Sequence, residues 1–496
     1  MPTRQLLAVP TTGPLAPAPR ASARAANRGR PAAKDGTPEQ VHLTWGADPA
    51  RSVVVSWTSR GKAEAPRVRI GQRVIPAIER GSGGGSGGEV SWTYHALVDG
   101  LRPGGTYGYA VTANNDGNAA DPFSATFRTA PEGRAAFRFT SFGDLARPDA
   151  RWASAAGRSA YAVGAVEALQ PLFHLLNADL ADGDPPSAAQ PRVWRDFGID
   201  IEASAANRPW MPVPGDHGVE YLARYSLPAN GRPEFAGRWY AFRIGTVAFI
   251  CLSGDDVGYP GARYSGGAQT RWLEATLAAA RRDSSIDWIV VGLHQCACSS
   301  PRTGGGPGSG PSSGPGSGPS SESGLGIRRE WLPLFDRYEV DLVLCGHGGG
   351  YERSFPVRGT DSAETLRPRP VTTTDSGVFD TSQGTVHLSL GCGDSEAEAD
   401  AGAVADADAQ EAAPWSARRD TAAGYGVAVF DVHPGTDAGG QTSITVRYYH
   451  AADADPVQGT PTDDYSLFET FTLVRPRSDG RRWHPKEPPP SKRATA

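Results

Sequence analysis

Five apolar runs of this sequence end on residues that bind cations or move protons. "FTSFGD" ends on Asp144, "FHLLNAD" on Asp179, "PWMPVPGDH" on Asp216 and His217, "IVVGLH" on His294 and "LVLCGH" on His347. Carboxylates mixed with imidazoles are a ligand set for first-row divalent metals and iron. One such ending says little, because a strand followed by Gly-Asp is common and a strand-end histidine is more often a capped or core residue. Five in order along one chain weigh differently, since the loops outside the carboxyl ends of strands in an open α/β sheet form a single ligand crevice. His174 in "LFHLL" and His387 in "TVHLSL" stand inside their runs and read as core or sheet histidines. Asp255 and Asp256 in "SGDDVGY" read as a polar loop.

The elements that must position these residues follow from periodicity. From Ala136 onward, single apolar strands alternate with helical stretches, the signature of an α/β layer fold. "GRSAYAVGAVEALQPL" reads as a helix, as does "YSGGAQTRWLEATLAAARRD", where Trp272, Leu273 and Leu277 recur at helical spacing. "WYAFRIGTVAFICLSGDD" contains two strands, and the helix "GIRREWLPLFDRY" separates the buried strands "DWIVVGLH" and "DLVLCGH". The β pattern returns in "GTVHLSLGCG", "YGVAVFDV", "SITVRYYHA" and "LFETFTLV". Ahead of this, from Val41 to about Thr129, short period-two runs separated by turn residues predict a small antiparallel sandwich. "GSGGGSGG", Gly81 to Gly88, reads as a flexible hairpin tip within it, and Thr303 to Ser321 is a Gly/Pro/Ser tract without packed structure. The expected organisation is a disordered tail 1–38, a sandwich 39–130, a catalytic-type domain 135–475 interrupted by the insertion 303–321, and a C-terminal tail 476–496.

Composition narrows the function. A net charge of −5 over 496 residues gives neither the basic footprint of a nucleic-acid binder nor a polybasic membrane patch, and no run of eighteen apolar residues occurs. Small ligands are the expected partners. Near the N-terminus only "LLAV" is apolar, shorter than an export signal needs, so this stretch reads as a disordered tail or as an export signal lost or misplaced. The 5 cysteines are odd in number and mostly lie in apolar runs, which fits buried thiols better than a disulfide framework.

The order of these motifs resembles the metallophosphoesterases, and in detail the purple acid phosphatases with an N-terminal fibronectin type III-like domain. The likeness runs from about Val41 to Val474, through "YHALVDGLRPGGTYGYAV", "LFHLLNADL", "RPWMPVPGDH", "YSGGAQTRWLE", "IDWIVVGLHQ" and "GIRREWLPLFDRYEVDLVLCGH". It implies an N-terminal all-β sandwich joined to an α/β metallophosphoesterase domain of layered mixed β-sheets flanked by helices. It also implies hydrolysis of small phosphate monoesters by a metal-bound water, with iron, zinc or manganese as cofactors, and an extracellular location. It says nothing of oligomeric state.

The family's pattern is Gly-Asp, then Gly-Asp-x-x-Tyr, then Gly-Asn-His-Glu or Asp, then a strand-end His, then Gly-His-x-His. By this resemblance Asp179 is shared by two metals, and Asp216, His294 and His347 complete the second, with Asp216 standing where the family has Asn. The first metal keeps Asp144 and Asp179, but Asp182 stands at the tyrosine position and Gly349 at the second histidine, with Gly350 beside it. His217 would touch a phosphate oxygen or protonate the leaving group, and Gly218 replaces the acidic residue that follows it. Two outcomes stay open. Asp182, aided by Asp184, rebuilds an all-oxygen first site suited to magnesium, manganese or calcium, or that site stays empty and the two-metal clamp is lost. The second outcome leaves a phosphatase scaffold without turnover that binds a phosphorylated ligand, one divalent ion or a protein partner.

Overall fold

The computed structural model describes residues 36–83, 91–115, 118–119, 122–143, 162–177, 190–214, 218–258, 264–298, 326–346, 350–361, 366–391, 413–420, 426–451, 465–480 and 483–485. Residues 1–35 of the expected tail 1–38, residues 84–88 of the expected hairpin tip Gly81 to Gly88, and the whole insertion 303–321 lie outside the described residues, whereas Gly81 to Gly83 belong to a β-strand rather than to the tip.

Alternation builds the first unit. β1 (Glu39–Trp45), β2 (Val53–Ser59), β6 (Ser91–Val98) and β5 (Ile78–Gly83) form one antiparallel sheet in that order. β4 (Arg73–Pro76), β3 (Glu64–Ile70), β7 (Thr106–Asn115) and β8 (Asn118–Ala119) form the other, with β9 (Phe123–Arg128) also paired to β7. Inward residues of one sheet, Val53, Val55 and Trp57, share a buried cluster with Val68, Ile70, Tyr109 and Val111 of the other. This is the small antiparallel sandwich that the period-two runs predict, with the two-sheet form that the resemblance to a fibronectin III-like domain implies.

The second unit holds two seven-stranded mixed sheets. In the first, β10 (Phe137–Phe142), β11 (Phe173–Leu176) and β12 (Trp210–Pro212) run parallel. They are extended by β23 (Gly426–His433), β24 (Gln441–Ala451), β25 (Tyr465–Pro476) and β20 (Val378–Asp380). The second orders β13 (Tyr240–Ile244), β14 (Val247–Cys251), β15 (Trp288–Leu293), β16 (Leu342–Cys345), β21 (Val386–Gly391), β17 (Gly350–Ser354) and β22 (Ser416–Asp420), with β14, β15, β16 and β21 parallel. A separate ladder joins β18 (Val357–Thr360) to β19 (Pro368–Pro370).

β14, β15 and β16 read as unbroken apolar runs because both of their faces are covered. In β15, Trp288 and Val290 pack with the partner sheet, whereas Ile289, Val291 and Leu293 pack with Leu273 and Leu277 of the helix Ala268–Arg282 and Phe335 of the helix Leu332–Arg337. Between the sheets, Phe139 and Phe173 meet the ring of Phe249 edge-on at 5.2 and 5.1 Å. The outer face of the first sheet is covered by the helices 162–169, Gln190–Ala205 and Gly218–Arg224. The result is helix, sheet, sheet, helix, the layered arrangement expected.

Three differences from the sequence reading have local causes. Asp255–Gly258 is a helical turn with Asp256 buried, where a polar loop was expected. The helix Gln190–Ala205 has no counterpart among the elements expected from periodicity, although Trp194, Phe197 and Ile201 form its buried stripe. Past Pro476, where a tail was expected, the described residues Ser478 and Trp483 pack on the domain: Ser478 N–H donates to Asp287 at 2.8 Å, and Trp483 stacks on Tyr338 with centroids 5.6 Å apart.

Candidate metal centre

Of the residues named for chemistry, His294 is described. Asp144, Asp179, Asp182, Asp184, Asp216, His217, His347 and Gly349 lie outside the described residues. The strands that deliver them are described up to Gly143, Asn177, Pro214 and Gly346, and these set the geometry.

The carboxyl ends of the two sheets touch. Gly143 N–H donates to the Leu390 carbonyl at 2.8 Å, joining β10 to β21 across the sheets. A Cβ added at Gly143 would stand 2.5 Å from the Gly346 oxygen and 2.6 Å from that of Leu390, and one at Gly346 would stand 1.9 Å from the Asn177 oxygen. Backbone atoms cannot step aside as a side-chain tip can. The glycines before Asp144 and His347 are therefore required by the approach of the sheets. Gly292, one layer deeper, faces side chains instead, where a Cβ would meet Val213 Cγ2 at 2.8 Å and Asn177 Oδ1 at 3.2 Å.

His294 leaves the end of β15 almost fully buried, with Nδ1 3.2 Å from the carbonyl oxygen of Asn177. Donation from Nδ1 places the ring's lone pair on Nε2, the way a metal-ligating imidazole is oriented. That donor fits the cation expected from the sequence. The following residue, Gln295, donates from Nε2 to Asp255, and it lies over Gly254, where a Cβ would come within 2.0 Å of Gln295 Oε1. Asp255 thus fixes the turn after His294. Asp256 turns the other way, accepting from Ser265 N at 2.8 Å, Ser265 Oγ at 2.5 Å and Gln269 Nε2 at 3.2 Å to anchor the start of the helix Ala268–Arg282.

Asn177 is the residue that sequence reasoning missed. Its N–H donates to the Phe142 carbonyl at 3.1 Å, its amide donates to Ser141 Oγ at 2.6 Å, and its carbonyl faces His294. It therefore ties β10, β11 and the end of β15 together two residues before Asp179. Its Oδ1 is buried without a protein partner, an exception that calls for an explanation at a ligand site. The available signal was a polar residue closing the apolar run "FHLLN".

Among the described residues no group of three or more His, Cys, Asp or Glu stands together as a metal site, so apart from His294 the expected ligand set rests on residues beyond them. The histidines read as core residues are buried. His174 Nδ1 pairs with Thr140 Oγ1 at 2.9 Å, and burial holds the ring neutral. Burial, with Arg328 adding to it, pulls His387 down to about 3. Cys251, Cys296, Cys298 and Cys345 are buried free thiols, and burial lifts Cys251 to about 12; Cys392 lies outside the described residues. No helix among the described residues is long and apolar enough to cross a membrane.

A sandwich followed by two facing mixed sheets under helices, with strand ends gathered at one edge, defines a class that the comparisons identify. Residues 38–130 match the family described as purple acid phosphatase, N-terminal domain. An uncharacterized protein of Mycobacterium tuberculosis is 37% identical over 492 residues, covering 88% of this chain and 87% of that one. Acid phosphatase type 7 of Homo sapiens is 26% identical over 420 residues, covering 79% of this chain and 85% of that one. A solved purple acid phosphatase from yellow lupin (Lupinus luteus) seeds shares the fold, with a TM-score of 0.59 at 17% identity over 93% of this chain and 78% of that one. The chain belongs to the purple acid phosphatase family. Membership supports a phosphoesterase function, implies a binuclear metal centre and points to small phosphate esters as substrates.

Proposed function

We propose that this chain is a metal-dependent phosphomonoesterase whose second metal position is intact and whose first is altered. Asp179, Asp216, His294 and His347 would hold the second cation, and Asp144, Asp179 and Asp182 the first. The observation that carries the reading is the contact of Gly143, Asn177, Gly346 and His294, which places the strand ends leading to Asp144, Asp179 and His347 against one another. Bound cations would lower the pKa of a water and neutralise the charge of a phosphoryl group. The chain's own share is positional. Asn177 holds the imidazole of His294 in one tautomer, Asp255 and Gln295 fix the turn behind it, and by the family pattern His217 would supply a proton to the leaving oxygen. With Asp182 at the tyrosine position, the protein is colourless even when loaded with iron.

The rival reading, a phosphatase scaffold without turnover that binds a phosphorylated ligand, one divalent ion or a partner, draws on Asp182, Gly218 and Gly349, which replace side chains of the family pattern. A chromogenic phosphate ester assay with added manganese, zinc or iron separates the two. Turnover that vanishes in His294→Ala supports the esterase. No turnover with any of the three metals would leave the scaffold reading standing.

A further inference from the structure

The sandwich reaches the phosphatase domain through side chains whose chemistry the phosphoesterase reading does not use. His42 of β1, Ser56 of β2 and His95 of β6 are neighbours across three strands, in register as His42↔Ser56↔His95. Both histidines are 6% exposed. His95 receives the Ser56 hydroxyl at Nδ1, 2.7 Å away, and donates from Nε2 to the Ala223 carbonyl at 2.9 Å. His42 places Nε2 3.0 Å from the Arg224 carbonyl, Nδ1 2.8 Å from its own strand's Gln40 carbonyl, and its ring 4.9 Å from that of Tyr225. Ala223 and Arg224 close the helix Gly218–Arg224, where carbonyls lack intrahelical donors.

More of the sandwich holds the same turn. Gln40 accepts from Arg224 Nη1 at 2.6 Å, while Arg224 Nε binds Glu220 one turn back at 3.0 Å, and Thr44 donates to the Ser226 carbonyl at 2.6 Å. The chain entering the loop is fixed from the other side, since Tyr240 and Tyr221 both donate to the Pro212 carbonyl, at 2.8 and 3.3 Å. The stretch between Pro212 and Gly218 contains Asp216 and His217. Domains joined in one chain move relative to each other by default unless the interface is built to stop it. Here two buried imidazoles are spent on the last turn of one seven-residue helix.

We propose that His42 and His95 are positioning residues: the sandwich holds the helix Gly218–Arg224 from behind, and through it the placement of the chain that connects β12 to this helix. The consequence for turnover rests on the phosphoesterase reading of Asp216 and His217. The placement itself does not.

The test uses the full chain, with hydrogen exchange and kinetics side by side. In His42→Ala/His95→Ala, amides between Pro212 and Ser226 exchange about 10-fold faster, while those of β14 to β16 keep the wild-type rate. In His95→Gln, whose amide N–H can still donate to Ala223, the rate returns toward wild type. With a phosphate ester that the wild-type chain turns over, the double variant loses about 10-fold in kcat with KM held, as expected when a positioned group rather than a binding contact is disturbed. Should the double variant not fold, His95→Ala alone gives the smaller shift in the same amides. Unchanged exchange in that stretch overturns the proposal, and so does faster exchange without a loss of kcat in a chain that turns over. A wild-type chain with no turnover, together with accelerated exchange in the variant, sinks the phosphoesterase reading and supports the clamp.

Discussion

At the amino ends of β15 and β16 stand Asp287 and Asp341; at their carboxyl ends stand Gly292, His294 and Gly346. The two ends of the same strands are held by different means. Asp341, fully buried, accepts from Arg281 at 2.5 Å, from Arg475, from Thr381 Oγ1 at 2.5 Å and from Ile289 N at 2.8 Å. Asp287 takes Arg134 and the Ser478 amide. These charges are paired and bonded by long side chains drawn from the helix Ala268–Arg282, from β25 and, in Arg134, from the segment ahead of β10. At the other end the sheets meet backbone to backbone, through glycines, with Asn177 Oδ1 left over. Long paired side chains lock the strands where nothing has to enter. Bare backbone brings strand ends close, the arrangement in which the loops after the strands of an open α/β sheet form a ligand crevice.

Substitutions at each end sharpen the contrast, and the largest effect belongs to the paired end. Asp341→Ala takes the shared carboxylate from two buried guanidiniums, leaving Arg475 its longer pair with Glu339 and Arg281 its backbone carbonyls, and costs about 4 kcal/mol in a urea melt, the range found when one partner of a buried pair is removed. An unchanged midpoint would show that the cluster is not what pins the amino ends. Gly346→Ala, at the other end, forces a methyl into the Asn177 carbonyl and costs about 3 kcal/mol by the same measurement. Tolerance of that methyl would mean that the sheets do not meet as described.

A third site lies between the units. Glu202 is buried against the sandwich, accepting from the backbone of Val41 and Gln40, and burial pushes it up to about 7 from 4.5. The folded chain therefore holds a proton that the unfolded chain releases between these values, so this group's contribution falls as pH rises from about 4.5 to about 7. Glu202→Gln lacks that dependence and gains on the wild type by up to about 3 kcal/mol across the window. A difference between the two proteins that stays flat with pH contradicts the assignment. The smallest effect is expected at the exposed pair Arg51–Glu132, where Glu132→Gln leaves the urea midpoint where it was.

The strands that carry the site were legible because burial on both faces writes an apolar run, and the ends of those runs are where a polar residue is conspicuous. β14, β15 and β16 read this way outright, while β10 and β11 carry polar residues among their apolar ones. β17 and β22, "GYERS" and "SARRD", were not legible, since their ladder partners and not their own side chains make them strands. Asn177 looks like a turn residue until the His294 ring, 117 positions away, is placed on its carbonyl. The glycines of "FGD" and "CGH" read as spacers because their contacts are with backbone of other strands. His42 and its acceptor Arg224 are 182 positions apart, and no local pattern announces such a bond.

The central claim is that the carboxyl ends of these strands hold a cation, and titration calorimetry with manganese tests it most directly. The wild-type chain is expected to bind at least one manganese ion, and His294→Ala, folded by its urea melt, to lose it. A wild-type chain that takes up no cation, or a His294→Ala chain that binds manganese unchanged, would contradict it.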